Sequence, residues 1–283
     1  MSSSASEGYL TEKLGNARQA LLASGYYLGT PEPKWEDKVT WKRIGKAERL
    51  VSVEDDVIAT AAYKAFEESD QLGKAPNPPD PVMLSAVVHV SEEDYWLTSC
   101  GMWRGDSPVA RTLADVKPTC VGVAPVHAVF AEDFRLVLEN VNNLMEMSRA
   151  YDRRKGVIIG GTNLRLKFRH VLFEALNRED GNVGVTSTAS TDSVSRESKV
   201  IVLIMKLTRH CQGVPVQYTI AQWPAFYSEA QEQLKTMVDT HRVNYLRAFD
   251  MHGNLIEPQD YRRHLQGALV QIHFTLTHWA IGG

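Results

Sequence analysis

Two periods in the order of apolar and polar residues divide the chain into helices and strands. A period of about 3.6 residues predicts helices over residues 55–68, 131–149 and 228–242. The capping-box spacing of Ser52 and Asp55 predicts where the first helix begins. One face of that helix is expected to carry Ile58, Ala61, Ala62, Ala65 and Phe66. The middle helix has the clearest apolar stripe, which consists of Phe134, Val137, Leu138, Val141, Leu144 and Met145. Its other side is expected to carry Glu139, Asn140 and Asn142.

A two-residue alternation or an unbroken apolar run predicts the strands. They are expected at residues 83–90, 95–103, 122–130, 164–173, 199–207, 216–223 and 269–281. The apolar run at 199–207 is typical of a central strand covered on both faces. His252, Gly253 and Asn254 have the chemistry of a hairpin turn. Because strands and helices do not alternate steadily, we expect an α+β fold, with a largely antiparallel sheet from the second half packed by the helices.

The chain is expected to form a flexible tail over residues 1–10 and a single main domain over residues 11–283. A short helix is predicted to begin at Thr11 and to end near Gly25. The prolines of residues 71–81 mark a candidate sub-boundary within the domain. Residues 177–199 are rich in Ser, Thr, Asp and Gly, which predicts a mobile loop.

Composition narrows the classes of function. The formal net charge of −3 and the pI of about 6.3 argue against a protein whose whole surface binds nucleic acid. Three cysteines without a C-x-x-C pair argue against a disulfide framework and a structural zinc site, and no motif indicates a cofactor. The N-terminus lacks a signal-peptide pattern, and the longest apolar run, Val200–Met205, is too short to span a membrane. We therefore expect an intracellular protein, cytoplasmic or nuclear, without a membrane partner.

The strongest electrostatic feature is a predicted strand with a basic outer face. Strand geometry sends the apolar side chains of residues 164–168 to one face and Arg165, Lys167 and Arg169 to the other. These cations are expected about 7 Å apart in a row, close to the spacing of phosphates along a nucleic acid strand. Four more cations lie just upstream: Arg149, Arg153, Arg154 and Lys155. Residues 149–170 therefore carry a net charge of +6, and the rest of the chain carries −9.

This basic segment has three interpretations. Its cations bind a nucleic acid or another polyanion, they dock a partner or a second copy of the chain, or acidic neighbours neutralise them on an ordinary solvated sheet face. Gly156, Gly160 and Gly161, between the two basic clusters, are small enough for a phosphate to approach the backbone. Their spacing matches neither a P-loop nor a dinucleotide-binding fingerprint.

Catalytic and metal candidates are weaker than the basic segment. None of the nine histidines has the spacing of a metal-ligand pair, so no metal site is predicted. If the chain is an enzyme of unrecognised class, its site is expected near His210, His241 or His252, although no catalytic motif is present. His278 is expected to be a core residue. Several aromatic residues are able to stack on bases, but we expect them to serve core or sheet packing: Trp35, Trp41, Tyr95, Trp96 and Trp103.

The last predicted strand also carries a resemblance. The sequence ALVQIHFTLTHWAI, from Ala268 to Ile281, resembles a strand in a group of uncharacterised proteins from mushroom-forming (basidiomycete) fungi. The resemblance is limited to this C-terminal strand. It implies an intracellular fungal protein and brings no activity, cofactor or site residue with it.

The residues favour a non-enzymatic binding or assembly protein that uses the basic face of residues 149–170. Single-stranded nucleic acid is the first partner to test, and other polyanions are included in the hypothesis. Two alternatives remain open at this point: a homo-oligomeric structural protein, and an enzyme of unrecognised class.

Overall fold

The fold combines helices with antiparallel sheets in a computed structural model that describes residues 3–45, 47–69, 75–105, 110–148, 156–176, 200–204 and 218–279. Its helices are α1 (Ser3–Ala23), α2 (Trp35–Lys38), α3 (Val53–Glu68), α4 (Ala128–Glu146), α5 (Ser228–Met237) and α6 (Tyr261–Leu265). Its strands are β1 (Val39–Ile44), β2 (Ala47–Ser52), β3 (Leu84–Tyr95), β4 (Thr119–Val123), β5 (Ile158–Ile159), β6 (Arg165–Arg169), β7 (Phe173–Ala175), β8 (Val200–Ile204), β9 (His241–Val243), β10 (Ala248–Phe249), β11 (Leu269–Phe274) and β12 (Thr277–Trp279). The pairs β1–β2, β2–β12, β3–β4, β4–β6, β5–β6, β7–β9 and β8–β10 are antiparallel. The predicted α+β fold class is confirmed.

The chain is organised into two compact units that it visits alternately. Unit 1 is built from the described parts of Met1–Val87, Val126–Gly156 and His273–Gly283, and unit 2 from those of Val88–Pro125 and Val157–Ile272. The single main domain expected over residues 11–283 stays a prediction. The first division between the units lies between Val87 and Val88, after the proline-rich residues 71–81. The prolines end regular structure there, but Val82 N still donates a 2.8 Å hydrogen bond to Leu50 O within unit 1.

Unit 1 combines a three-stranded sheet with α1 to α4. The sheet has the order β1-β2-β12. α3 packs on β1 and β2, and α4 packs beside α1. The apolar stripe predicted for α4 is confirmed at Phe134, Val137, Val141 and Leu144, which are all buried. The helix itself begins and ends about one turn earlier than the sequence predicts.

A buried carboxylate joins α1 to α4 in unit 1. Asp133 on α4 is 2% exposed and accepts 2.8 Å hydrogen bonds from Arg18 Nε, Arg18 Nη2 and Tyr27 Oη. Burial, together with the adjacent charge of Asp133, raises the pKa of the Tyr27 phenol, so the hydroxyl stays protonated and remains a donor. The hydrogen bonds to Asp133 likewise raise the pKa of Arg18.

Asn140 corrects the sequence prediction for α4. The sequence places it on the solvent side, but it is 3% exposed. Its Nδ2 donates to Leu28 O at 2.7 Å and to Thr30 O at 3.0 Å, and its Oδ1 accepts from Trp35 Nε1 at 3.1 Å. An amide with these partners is satisfied inside the protein, because each hydrogen bond to water is replaced by one to the chain.

The buried face of α3 also differs from the predicted one. Ser52 Oγ accepts a 2.9 Å hydrogen bond from Asp55 N, which confirms the predicted N-terminal cap. However, Ile58 is 60% exposed, and Ala59 is the buried residue of the helix. Lys42 on β1 and Asp56 on α3 form a 2.6 Å ion pair on the side of the helix that packs on β1 and β2.

Unit 2 is built around a seven-stranded sheet. Its order is β10-β8-β11-β3-β4-β6-β5. β8 lies between β10 and β11, so residues 200–204 form an interior strand of the sheet, and the predicted cover on both faces of the run at 199–207 stays a prediction. A second apolar cluster packs α5 against the β7–β9 pair, with Trp223, Phe173 and Leu234 buried in it.

Several predicted strands end early because local hydrogen bonds favour turns. Residues 96–103 form turns held by Gly101 N to Thr98 O and by Trp103 N to Cys100 O, so the strand predicted at 95–103 is wrong. β4 covers only the beginning of the segment predicted at 122–130. Residues 220–222 form a 3₁₀ turn, and α5 ends at residue 237. The predicted last strand is divided into β11 and β12, which belong to different sheets.

Three further predicted segments are the N-terminal tail and helix, the hairpin around Gly253 and the loop at residues 177–199. α1 begins at Ser3, so residues 3–10 are helical where the sequence predicts a tail, and its last turn is followed by Gly25 with φ +82°. The hairpin predicted around Gly253 is confirmed by the Phe249–Leu255 bridge. The predicted mobile loop at 177–199 lies outside the described residues.

Among the described residues, no helix combines the length and the apolar character needed to cross a lipid bilayer.

Candidate anion-binding face of unit 2

The predicted alternation of the basic strand is confirmed in β6. Leu166 and Phe168 are 0% and 4% exposed, whereas Arg165, Lys167 and Arg169 point to the opposite, more open side. β6 pairs with β4, and this pairing fixes which residues share that side. Thr119 lies opposite Arg169, and Val121 lies opposite Lys167.

Arg165 is neutralised within unit 2. Its Nη1 lies 2.6 Å from Asp94 Oδ2 at the end of β3, and the two side chains are 29% and 45% exposed. For Arg165, the structure therefore agrees with the interpretation that nearby acids neutralise the cations of this strand. Because the pair is partly solvated, it contributes only about 0–1 kcal/mol to stability.

Lys167 and Arg169 behave differently from Arg165. Neither has an ion-pair partner within 4.0 Å among the described residues. Lys167 is half-buried along its side chain, and Arg169 is exposed at the end of the strand. Two residues along an extended strand span about 7 Å, so the two cations stand side by side with the predicted spacing.

A third cation, Lys117, joins these two and is not predicted from the sequence. His170 N donates a 2.9 Å hydrogen bond to Pro118 O, so the pairing of β4 with β6 continues one residue beyond the strand. Exposure alternates from residue 116 to residue 120, with Lys117 and Thr119 on the open side and Pro118 buried. The only signal in the sequence is this short alternation, and its meaning depends on pairing with a strand about fifty residues later.

Trp96 lies on the same side of the sheet, which corrects the expectation that it packs in the core. Tyr95 pairs with Cys120, and Trp96 N then donates a 2.7 Å hydrogen bond to Thr119 O. Directly opposed residues of an antiparallel pair share a face, so Trp96, Thr119 and Arg169 form a row across three strands. Trp96 is 49% exposed, whereas Tyr95, Trp35 and Trp103 are buried as the sequence predicts.

We call this surface, made of Trp96, Lys117, Thr119, Lys167 and Arg169, the basic face. Its neighbour His170 adds no positive charge near neutral pH. Burial lowers the pKa of His170 to about 4, and the ring of this neutral histidine donates from Nε2 to Asn244 O. Glu174, the acid that follows on β7, is held by Arg242 at 3.0 Å instead of by the basic face.

The remaining residues of the predicted basic segment have separate outcomes. Arg149, Arg153, Arg154 and Lys155 lie outside the described residues. Gly160 has φ +95°, and a Cβ there would stand 2.2 Å from Asn163 O. The turn between β5 and β6 therefore requires glycine at this position, because any side chain would collide with the backbone of Asn163.

The histidine candidates form no recognisable catalytic or metal site in the described part of the chain. There, no group of three or more His, Cys, Asp or Glu side chains is placed to hold a metal ion. His241 Nδ1 lies 2.9 Å from Thr240 Oγ1, and His252 is exposed in the β10 hairpin. His210 lies outside the described residues. The prediction that His278 is a core residue is wrong. His278 is half-buried, and its Nδ1 lies 3.2 Å from Glu48 Oε2 on the paired strand.

Comparisons with known proteins return no match: no family model, no curated protein and no solved structure matches the chain. The resemblance of the last strand to the fungal protein group stays a prediction.

Proposed function

We propose that the protein binds polyanions through the basic face, with single-stranded nucleic acid as the first ligand to test. The observation that supports this most directly is the group of three exposed or half-exposed cations, Lys117, Lys167 and Arg169. Within the described residues they share one side of a sheet and have no acid at ion-pair distance. Clustered cations of this kind create a local positive potential that a net charge of −3 does not cancel.

The contrast with Arg165 supports a binding role over a structural one. On a sheet face that serves only solubility, cations pair with nearby acids, as Arg165 does with Asp94. Lys167 stands two residues along the same strand and lacks such a partner in the described chain. Unpaired cations placed side by side repel one another, and a bound polyanion relieves that repulsion.

The geometry suits a row of phosphates. Lys167 and Arg169 are about 7 Å apart along β6, and Lys117 lies diagonally from Arg169, one strand across and two residues along, at about 8 Å. Three phosphate contacts with a single strand give a salt slope of about −2, through release of counterions. The upstream cations Arg149, Arg153, Arg154 and Lys155 lie outside the described residues, and the three cations of the basic face carry the proposal without them.

The test is fluorescence anisotropy of a labelled oligothymidylate of about twenty nucleotides, titrated with the full chain at 50 mM and 200 mM salt. The variant Lys167→Glu/Arg169→Glu is expected to lose at least about tenfold in affinity and to show a shallower salt slope. Inorganic polyphosphate is expected to compete for the same face.

A charge-matched control separates the site from net charge. Lys64→Glu/Lys235→Glu changes the net charge by the same amount at two exposed helical positions, with side chains 75% and 69% exposed. This control is expected to bind as the unchanged protein does, apart from a weak screened effect. Equal losses in the two double variants, or no binding of either polyanion at 50 mM salt, would overturn the proposal.

A further inference from the structure

We infer that the basic face selects unpaired nucleic acid, with Trp96 stacking on a base while the cations hold the phosphates. This inference rests on the proposed function and names its ligand class. The row Trp96–Thr119–Arg169 crosses three adjacent strands, so the indole stands about 10 Å from the backbone of Arg169. The two kinds of contact that single-strand binding needs are therefore present on one flat surface.

The exposure of Trp96 is the observation that carries the inference. A tryptophan with 49% of its surface in water does little for the core of unit 2, and the other aromatic residues of this region show the contrast. Tyr95 is buried and donates to Leu97 O and Tyr261 O, and Trp103 is buried and donates from Nε1 to Ala110 O. Trp96 is not fixed in this way: its backbone N–H is paired with Thr119 O, but its ring has no partner among the described residues.

An exposed indole beside cations distinguishes between classes of polyanion. Inorganic polyphosphate and sulfated sugars offer charge but no aromatic surface, so they gain only from the cations. In a duplex the base faces are stacked on each other and unavailable to a side chain, and only the backbone meets a flat sheet. A single strand offers both phosphates and free base faces, and it is the ligand that uses every group on the basic face.

Threonine at the centre of the row fits this arrangement. Thr119 is small and half-buried, so it leaves room for a base between the indole and the guanidinium of Arg169. Arginine is able to stack on the other face of the same base or to contact its phosphate. Lys117 and Lys167 flank the row and are placed to meet the neighbouring phosphates.

The experiment compares three ligands with two substitutions at Trp96 in the full chain. Anisotropy at 50 mM salt is measured with labelled oligothymidylate, a duplex of the same length, and inorganic polyphosphate as competitor. Trp96→Leu, which keeps an apolar side chain but removes the ring, is expected to weaken oligothymidylate binding by about 5- to 150-fold. Trp96→Phe, which keeps a ring, is expected to retain most of the affinity.

Controls separate stacking from folding and from charge. Phe226 is 60% exposed in the segment before α5 and is not part of the basic face, so Phe226→Leu is expected to leave binding unchanged. Trp96→Leu should also keep the salt slope and the polyphosphate competition of the unchanged protein, because all three cations remain. Binding of polyphosphate with no effect of Trp96→Leu on oligothymidylate would overturn this inference and leave the proposed function standing. Preference for the duplex would overturn it in the same way, and failure of every polyanion to bind would overturn both.

Discussion

Releasing Arg165 from Asp94 should strengthen polyanion binding. The substitution Asp94→Asn removes the carboxylate that lies 2.6 Å from Arg165 and leaves a side chain of the same size. Arg165 then becomes a third free cation on β6, beside Lys167 and Arg169, and a fourth on this side of the sheet together with Lys117. Because the original pair is partly solvated, the fold is expected to lose no more than about 1 kcal/mol of stability.

The magnitude follows from counting phosphate contacts. One added contact with a single strand steepens the salt slope by about 0.7. Extrapolated from 1 M salt, where this contribution vanishes, that corresponds to a gain of about 8-fold in affinity at 50 mM and about 3-fold at 200 mM. The assay is anisotropy of a labelled oligothymidylate over this range of salt concentrations, with circular dichroism to show that the fold is kept.

Glu93 supplies the matched control. It is exposed beside Asp94 and has no ion pair in the described chain, so Glu93→Gln removes the same charge without freeing a cation. Its effect is limited to screened repulsion and should stay below about twofold at 0.1 M salt. An Asp94→Asn variant that binds no better than Glu93→Gln, or that keeps the original slope, would refute the reasoning that Arg165 is silenced by its partner.

Two further predictions concern stability. Burial lowers the pKa of His170 from 6.5 to about 4, so the unfolded chain binds a proton at this residue more readily than the folded chain does. The neutral, buried His170 therefore contributes about 3 kcal/mol to the free energy of unfolding. This contribution is complete above pH 6.5 and is lost as the pH falls toward 4. Urea unfolding between pH 4.5 and 7.5 should show this slope, and His170→Gln should flatten it; an unchanged slope would contradict the assignment. Asp133→Ala removes the partner of Arg18 and leaves the Tyr27 hydroxyl buried without an acceptor, so unfolding should become about 3 kcal/mol easier. Glu132→Ala, at the exposed neighbouring position, should change it by less than about 0.5 kcal/mol, and similar losses in both variants would speak against the buried network.

The sequence predicts those features that depend on the local order of residues. The alternation in β6 separates Leu166 from Lys167, and the spacing of Ser52 and Asp55 marks the start of α3, because both signals lie within a single element. The buried face of α3 was not predictable in the same way. It depends on how the helix packs against β1 and β2, which are separate elements of the chain.

The basic face was predictable only in part for the same reason. Arg165, Lys167 and Arg169 are visible as a row in the sequence, but nothing local shows that Asp94 neutralises the first of them. Lys117 and Trp96 join the face through the register of β4 with β6 and with β3. Register is set by long-range packing, and a shift of one residue would send either side chain to the other face.

The position of β12 beside β2 has a consequence for synthesis of the chain. Glu48 on β2 meets His278 on β12, 230 residues later. At ribosomal rates of about 5–20 residues per second, roughly 10–50 s pass between the appearance of one strand and that of its partner. During that interval residues 47–49 of β2 lack the partner that β12 later supplies, and an unpaired strand edge is a template for pairing with another chain. Completion of the β1-β2-β12 sheet is therefore a late event in synthesis.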